Sequence, residues 1–375
     1  MKKRIIALAA VMTVILMTGC SRKDQSSGTS PGARNTSGEV DYGKVKVGVL
    51  INITTTDGGW SQSHGVSFEK VKADLGLADE QMIVLENVLD AGPEASAAIE
   101  NLISEGCNMI FGTSSGFTDP ISAAAARYPD IKFHQFEGRT GANVSAYSVR
   151  DIESIFMCGY VAGKMSKSDA LGFMAAQPQA SVVRAVNSFA AGARYARPDA
   201  TVQVIWANSW YDPAVEKEGA SGMLQSGINA LGYHGSTTAV MQAAEAAGGY
   251  ATGFHIDMHD YAPRAVLTSF MWNWAPIYEE YITSFAKGTW TNDTLFLGMD
   301  RGCASTAPFN ADIIPAGIIA DCEAVKAKLI AGEIEVFPAP VKDNLGKTVL
   351  AQGEFSDTEL INMMFLLDNV IGKLP

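Results

Sequence analysis

The sequence predicts an α/β protein of two lobes, each lobe a parallel sheet flanked by helices and the pair hinged by three crossings of the chain. Three observations predict it. From Lys44 onward, short apolar runs alternate with amphipathic helical stretches, the signature of βαβ units in a parallel sheet. The alternation is then written a second time. The stretch that carries it is roughly 330 residues long, more than one core usually organises.

In the first set, strands are expected at Val45–Ile51, Met82–Glu86, Met109–Phe111 and Lys132–Phe136. Helices fall between them, one ending near Leu75, then Glu94–Glu105 and Pro120–Arg127. In the second helix Ala95, Ala98, Ile99, Leu102 and Ile103 recur at helical spacing and form one buried stripe. The second set opens with a helix at Ile152–Met165 and continues through strands Leu171–Met174, Val202–Trp206, Ile228–Leu231 and Ala251–His255. Its helices are Val182–Tyr195, Pro213–Gln225 and Thr237–Ala247. Val266–Phe270 and the helices Ile277–Phe285 and Glu323–Ala331 follow both sets, so they are expected to return to the first lobe. That places lobe one at 44–150 plus 266–375 and lobe two at 151–265. A hairpin around Asn344-Leu345-Gly346 and a last helix near Thr358–Val370 close the chain.

The start reads as a secretory signal over residues 1–19: Lys2, Lys3 and Arg4, an apolar stretch from Ile5 to Met17, then Thr18 and Gly19. Cys20 directly after a small residue is a lipobox arrangement, so Cys20 is the candidate for acylation and membrane anchoring. Residues 20–43, rich in Ser, Gly and Thr without apolar periodicity, read as a flexible tether. The formal net charge is −12 and grows more negative once the leader's cations are removed, which argues against nucleic acid or an anionic lipid surface as ligand. Cys107, Cys158, Cys303 and Cys322 show no metal-like spacing.

The strand-end loops carry a resemblance. Asp57-Gly-Gly-Trp60, Gly112-Thr-Ser-Ser-Gly-Phe117-Thr-Asp-Pro120, Ile205-Trp-Ala-Asn-Ser-Trp-Tyr-Asp-Pro213 and Ala262-Pro263 with Leu267-Thr268-Ser269 together resemble the basic membrane protein family of lipoproteins, from Lys44 to the final Gly-Lys-Leu-Pro. The resemblance implies a type I periplasmic-binding-protein fold and capture of a purine nucleoside or base for an ABC importer. The implied partners are the small-molecule ligand, the permease and the ATPase. The protein is then a monomer outside the membrane, with no cofactor, no metal and no enzymatic step.

By position, the family's two aromatics fall on Trp60 and Trp210, which would sandwich a planar ring. Ribose-gripping charges of the nucleoside-binding branch are replaced by His255 and Trp272, which tilts the expectation toward an adenine-like free base, in line with the family's adenine-binding branch. Its Asn-Asp after the first aromatic is Ser61 and Gln62 here. Ser114, Ser115, Asn187 and Asp257 are the candidate edge readers, with Phe117 and Trp272 as walls. A nucleoside is the alternative ligand.

Two patterns point elsewhere. Gly112-Thr-Ser114-Ser-Gly116 matches the G-x-S-x-G elbow of a serine hydrolase and sits between a strand and a helix, as that elbow must. His255-Ile-Asp257-Met-His259 would gather metal ligands on one side of an extended strand. The same run is also expected to be a hinge crossing.

Overall fold

In the computed structural model, which describes residues 40–57, 59–90 and 92–375, the first set folds as β1 (Val47–Leu50), α1 (Trp60–Asp74), β2 (Met82–Leu85), α2 (Pro93–Ser104), β3 (Met109–Gly112), α3 (Thr118–Arg127), β4 (Lys132–Phe136) and β5 (Val144–Val149). The expected leader, Cys20 and the tether up to residue 39 lie outside the described residues. The second set is α4 (Ile152–Met165), β6 (Ala170–Ala175), α5 (Ala180–Ala196), β7 (Thr201–Trp206), α6 (Pro213–Gln225), β8 (Ala230–His234), α7 (Ala239–Ala246) and β9 (Tyr250–His255). The remaining third holds β10 (Val266–Trp272), α8 (Ala275–Ala286), β11 (Leu295–Leu297), β12 (Ala304–Thr306), α9 (Ala316–Ile330), the hairpin β13 (Val341–Lys342) and β14 (Thr348–Leu350), α10 (Asp357–Ile361) and β15 (Val370–Ile371).

Two sheets result. The first runs β11-β5-β4-β3-β1-β2, all parallel. The second runs β12-β10-β9-β8-β6-β7-β15, parallel except for β12 at one edge. The chain crosses between sheets after β5 at Arg150, after β10 at Asn273 and after β11 at Gly298, the three crossings of a hinged pair.

The local reasons are ordinary. In α2, Ala95, Ile99 and Leu102 are buried and Pro93 sits where a helix start has no N–H to lose. Asp212 caps α6 by accepting from Ala214 N (3.2 Å) and Val215 N (3.1 Å), with Pro213 as the first helical residue. This is the structural role of the Asp-Pro pair in the loop motif. Helices α4 and α5 touch backbone to backbone at Gly159 and Gly192. A Cβ there would lie 2.0 Å from Phe189 O and 1.9 Å from Phe156 O respectively, so only glycine fits.

Three expectations are corrected. β10 does not return to the first lobe. It pairs in parallel with β9, Phe270 opposite Phe254 and Met271 opposite His255, because the nearest open strand edge is the one just completed. With β12 and β15 also in the second sheet, only α8 and β11 of that third join the first sheet's side, and the crossing lies at Asn273 instead of near His255. β5 escaped the strand pattern because Ser145 and Ser148 interrupt its apolar run. Both are nevertheless buried, bonded to His134 Nδ1 (2.6 Å) and Glu137 Oε1 (2.9 Å). The last helix stops at Ile361, since Asn187 on α5 captures the following segment in extended form, accepting from Leu367 N (2.9 Å) and donating to Phe365 O (2.7 Å).

Candidate functional site: an aromatic cleft between two sheets

Parallel sheets present their carboxyl ends as ligand sites, and here those ends from both sheets meet. On the first lobe the loop after β1 is shaped by Asp57, whose carboxylate accepts from Gly59 N (2.9 Å), Ser61 N (3.0 Å) and Gln62 N (2.9 Å). That turn sets Trp60 at the start of α1, half-buried, with its indole Nε1 donating to Thr113 O at the end of β3 (3.0 Å). Around Trp60 stand His64, Phe136 and Trp274 at 4.7, 4.8 and 5.5 Å between ring centroids. Trp274, at the second crossing, is tied to α1 by its Nε1 donating to Ser63 Oγ (3.0 Å) and its backbone N donating to Ser67 Oγ (3.1 Å). His64 stacks on Trp274 at 4.3 Å and shares a hydrogen bond with Tyr278 Oη.

The second lobe meets this wall with its own rings. His255, the last residue of β9, and Trp272, the last of β10, each lie 5.4 Å from Trp60 and 4.4 Å from one another. Every ring touching Trp60 is inclined to it by 70° to 78°, so the neighbours meet it in edge-to-face contacts. Behind His255, His234 ends β8, with Phe254 4.0 Å away. Burial drives the imidazoles of His64 and His255 well below their ordinary pKa and lowers His234 to about 3, aided by the charge of Arg184. All three are neutral. Beside His255 opens a cavity of about 270 Å³, walled by Asp57 and Gly59 from the first lobe and by Tyr211, Ser236, Thr237, Thr238, Gln242 and His255 among residues of the second.

At the first crossing, a buried ion cluster joins the two lobes. Arg184 of α5 is fully buried and donates from Nε to Asp151 Oδ1 (3.2 Å) and from Nη1 to Leu360 O (3.2 Å). Its Nη2 stands 3.6 Å from Glu137, which follows β4 of the first lobe. Burial pushes the carboxyls of Asp151 and Glu137 up, against the pull of Arg184.

The residues expected from sequence are therefore divided. Trp60 and Trp272 meet in the cleft, Trp272 only 7 % exposed. Trp210 is 43 % exposed on the loop after β7, 6.2 Å from His234, and its neighbour Tyr211 lines the cavity. Ser114 caps the turn after β3, donating to Asp90 Oδ2 (2.5 Å) and accepting from Gly116 N (3.3 Å), and Ser115 beside it is exposed. Phe117 is not a cleft wall: it is buried in the layer with Leu50 and Ile121, since its short helical turn points the ring under the sheet. Asn187 is not free to read a ligand, its amide being spent on Phe365 and Leu367. Asp257 is exposed and accepts from His259 N (3.0 Å), a local cap. The hydrolase constellation is not assembled, because the hydroxyl of Ser114 meets a carboxylate and not an imidazole. The metal run fails because β9 ends at His255, so the alternation that would align Asp257 and His259 stops there. Among the described residues no group of three or more His, Cys, Asp or Glu could hold a metal ion. Cys107, Cys158, Cys303 and Cys322 are buried and form no disulfide among the described residues.

Residues 44–336 match the family described as Bmp, ABC transporter substrate-binding protein PnrA-like. The chain belongs to this family. It is 34 % identical over 334 residues to a purine-binding protein of Brucella abortus, covering 88 % of this chain and 94 % of that one. It is 30 % identical over 368 residues to a candidate ABC transporter glucose-binding protein of Haloferax volcanii, covering 95 % and 89 %. Among solved structures, an ABC transporter solute-binding protein from Conexibacter woesei superposes with a TM-score of 0.64 at 23 % identity, over 78 % of this chain and 98 % of that one, which shows the two-lobed fold. As a substrate-binding protein of an ABC transporter, it works with a small-molecule ligand, a permease and an ATPase, and its place is outside the cytoplasm. No described helix is long and apolar enough to cross a membrane.

Sequence reasoning missed His64, His234, Trp274 and the Arg184 cluster. His64 was within reach, since it follows Trp60 by four residues and so shares its face of α1. His234 was lost because β8 was ended at Leu231, three residues early.

Proposed function

We propose that this Bmp protein captures a purine ring between Trp60 and Trp210 and delivers it to an ABC permease. The carrying observation is the aromatic cleft itself, where Trp60 of one lobe meets His255 and Trp272 of the other. A planar heterocycle offers two π-faces to such plates and a rim of donors and acceptors to the neutral polar groups around them. The purine-binding Brucella relative supports the same reading. Closure of the lobes on the ring supplies contacts that the open form lacks, and those contacts shift the population toward the closed state. Cys20, acylated, holds the protein on the outer face of the membrane as a monomer, with the cavity open to ligand.

A free base is the first reading, because His255 and Trp272, which pack against Trp60, stand by resemblance at the positions where the nucleoside-binding branch carries its ribose-gripping charges. A nucleoside is the second, favoured by the hydroxyl- and amide-bearing wall of Ser236, Thr237, Thr238 and Gln242 in the 270 Å³ cavity. Thermal-shift titration with adenine, adenosine and glucose separates them, since stabilisation follows ligand concentration over Kd. A shift with adenine and none with adenosine supports the base. A larger shift with adenosine moves the assignment to nucleosides, and a shift with glucose alone removes the purine reading.

A further inference from the structure

The ends of β8 and β9 carry a pair of imidazoles that the fold leaves without work. His234 is 3 % exposed and His255 5 %, their ring centroids 6.3 Å apart and both packed on Phe254. Neither ring nitrogen of His234, nor Nδ1 of His255, has a hydrogen-bond partner among the described residues. Buried polar groups in folded proteins are almost always bonded, because each one left unpaired forfeits the water it gave up. His255 also holds a φ of +63°, a left-handed conformation that a residue with a Cβ adopts at a cost. Strained, buried and unsatisfied positions of this kind gather where a ligand completes the set.

Their surroundings say which ligand. His255 lines the cavity and touches Trp60, while His234 packs behind His255 with Trp210 6.2 Å away, so the pair bridges from one proposed aromatic plate to the other. A neutral imidazole has one N–H and one bare nitrogen, and it exchanges them by tautomerism. Two of them side by side therefore complement an edge on which a donor and an acceptor are adjacent, as in an amidine or a lactam. A sugar rim supplies hydroxyls without that fixed alternation.

We propose that His234 and His255 read the hydrogen-bonding edge of an uncharged nitrogen heterocycle held between Trp60 and Trp210. The inference rests on the purine reading above and names the groups that give it selectivity. The roles are those of specificity determinants, with no chemistry on the ligand.

The test is calorimetric titration of residues 40–375, which form one compact unit holding every element described, with adenine. The variants are His234→Phe and His255→Phe, which keep a ring on Phe254 and remove the nitrogens, and His234→Gln and His255→Asn, which restore a donor and an acceptor. Melting of each variant without ligand is measured alongside. The expected result is a tenfold or greater rise in Kd for both Phe variants, partial recovery in the amide variants, and unliganded melting temperatures equal to or above that of the parent. Phe variants that bind adenine as the parent does overturn the proposal while leaving the purine reading standing. So do Phe variants that lose binding and melting temperature together without rescue by the amides, since the imidazoles are then structural. A parent protein that binds no purine removes the purine reading and this inference with it.

Discussion

The side of α5 that faces the C-terminal tail and the ends of β8 and β9 are both buried, yet they differ in hydrogen bonding: of Asn187 and Arg184 a single nitrogen, Arg184 Nη2 beside Glu137, lacks a hydrogen-bond partner among the described residues, whereas three ring nitrogens of His234 and His255 do. On α5, Asn187 and Arg184 are fully buried, and their side chains bond Phe365, Leu367, Leu360 and Asp151. At the strand ends, His234 and His255 are almost as buried and their ring nitrogens stand largely unspent. Burial alone therefore does not mark a functional residue. What separates the two regions is whether the fold itself consumes the polar capacity, and that difference distinguishes groups that hold the tail from groups set aside for a ligand.

The largest expected effect is at Arg184. Arg184→Met leaves Asp151 and Glu137 without their cation in the interior and should cost about 3–5 kcal/mol of stability, read by urea denaturation. A loss below about 1 kcal/mol breaks the comparison on its structural side. Asn187→Leu comes next, at about 2–3 kcal/mol, because a backbone carbonyl and a backbone N–H of the tail lose their partner together.

The third effect is on pH dependence. His234 titrates near 3 when folded against an ordinary value of 6.5, so between those values the unfolded chain holds a proton that the folded chain refuses. Stability contributed by keeping His234 neutral is complete above about pH 6.5 and is lost as pH falls toward 3, by about 1.4 kcal/mol per pH unit. Glu153 works in the other sense: burial pushes it up to about 7, so its folded form takes a proton first and its contribution grows as pH falls below 7. The slopes oppose, and the difference between the parent and His234→Phe isolates the histidine. A difference curve flat from pH 6.5 to 4 would falsify the neutral assignment.

The smallest effect concerns the thiols. Burial lifts Cys107 to about 11 and Cys303 and Cys322 to about 12, so the folded protein should react with a disulfide reagent far more slowly than the same chain in denaturant.

Much of this architecture was legible in the sequence, because strand and helix periods are local. Lys132–Phe136, Ile152–Met165 and Pro213–Gln225 form the elements their apolar spacing predicts, residue for residue. The lobe to which β10 belongs was not legible, since an apolar run states that a strand is buried without naming its neighbour. At the site, Trp60 and Trp272 were readable through the family resemblance, which fixes their positions by the motifs around them. Phe117 and Asn187 were misread for one shared reason: which way a side chain leaves a turn or a helix depends on packing that the local pattern does not record. His255 was legible as a departure from the nucleoside-binding branch, but its pairing with His234 and their unspent nitrogens are seen only in the fold.

The measurement that tests the central claim most directly is titration of adenine into the parent protein, Trp60→Ala and Trp210→Ala, with heat of binding as the readout. Stacking contributes about 1–3 kcal/mol per plate, so each variant should bind about five- to 150-fold more weakly than the parent. Adenine bound by the parent and by both variants with the same Kd would contradict capture of the ring between these two tryptophans.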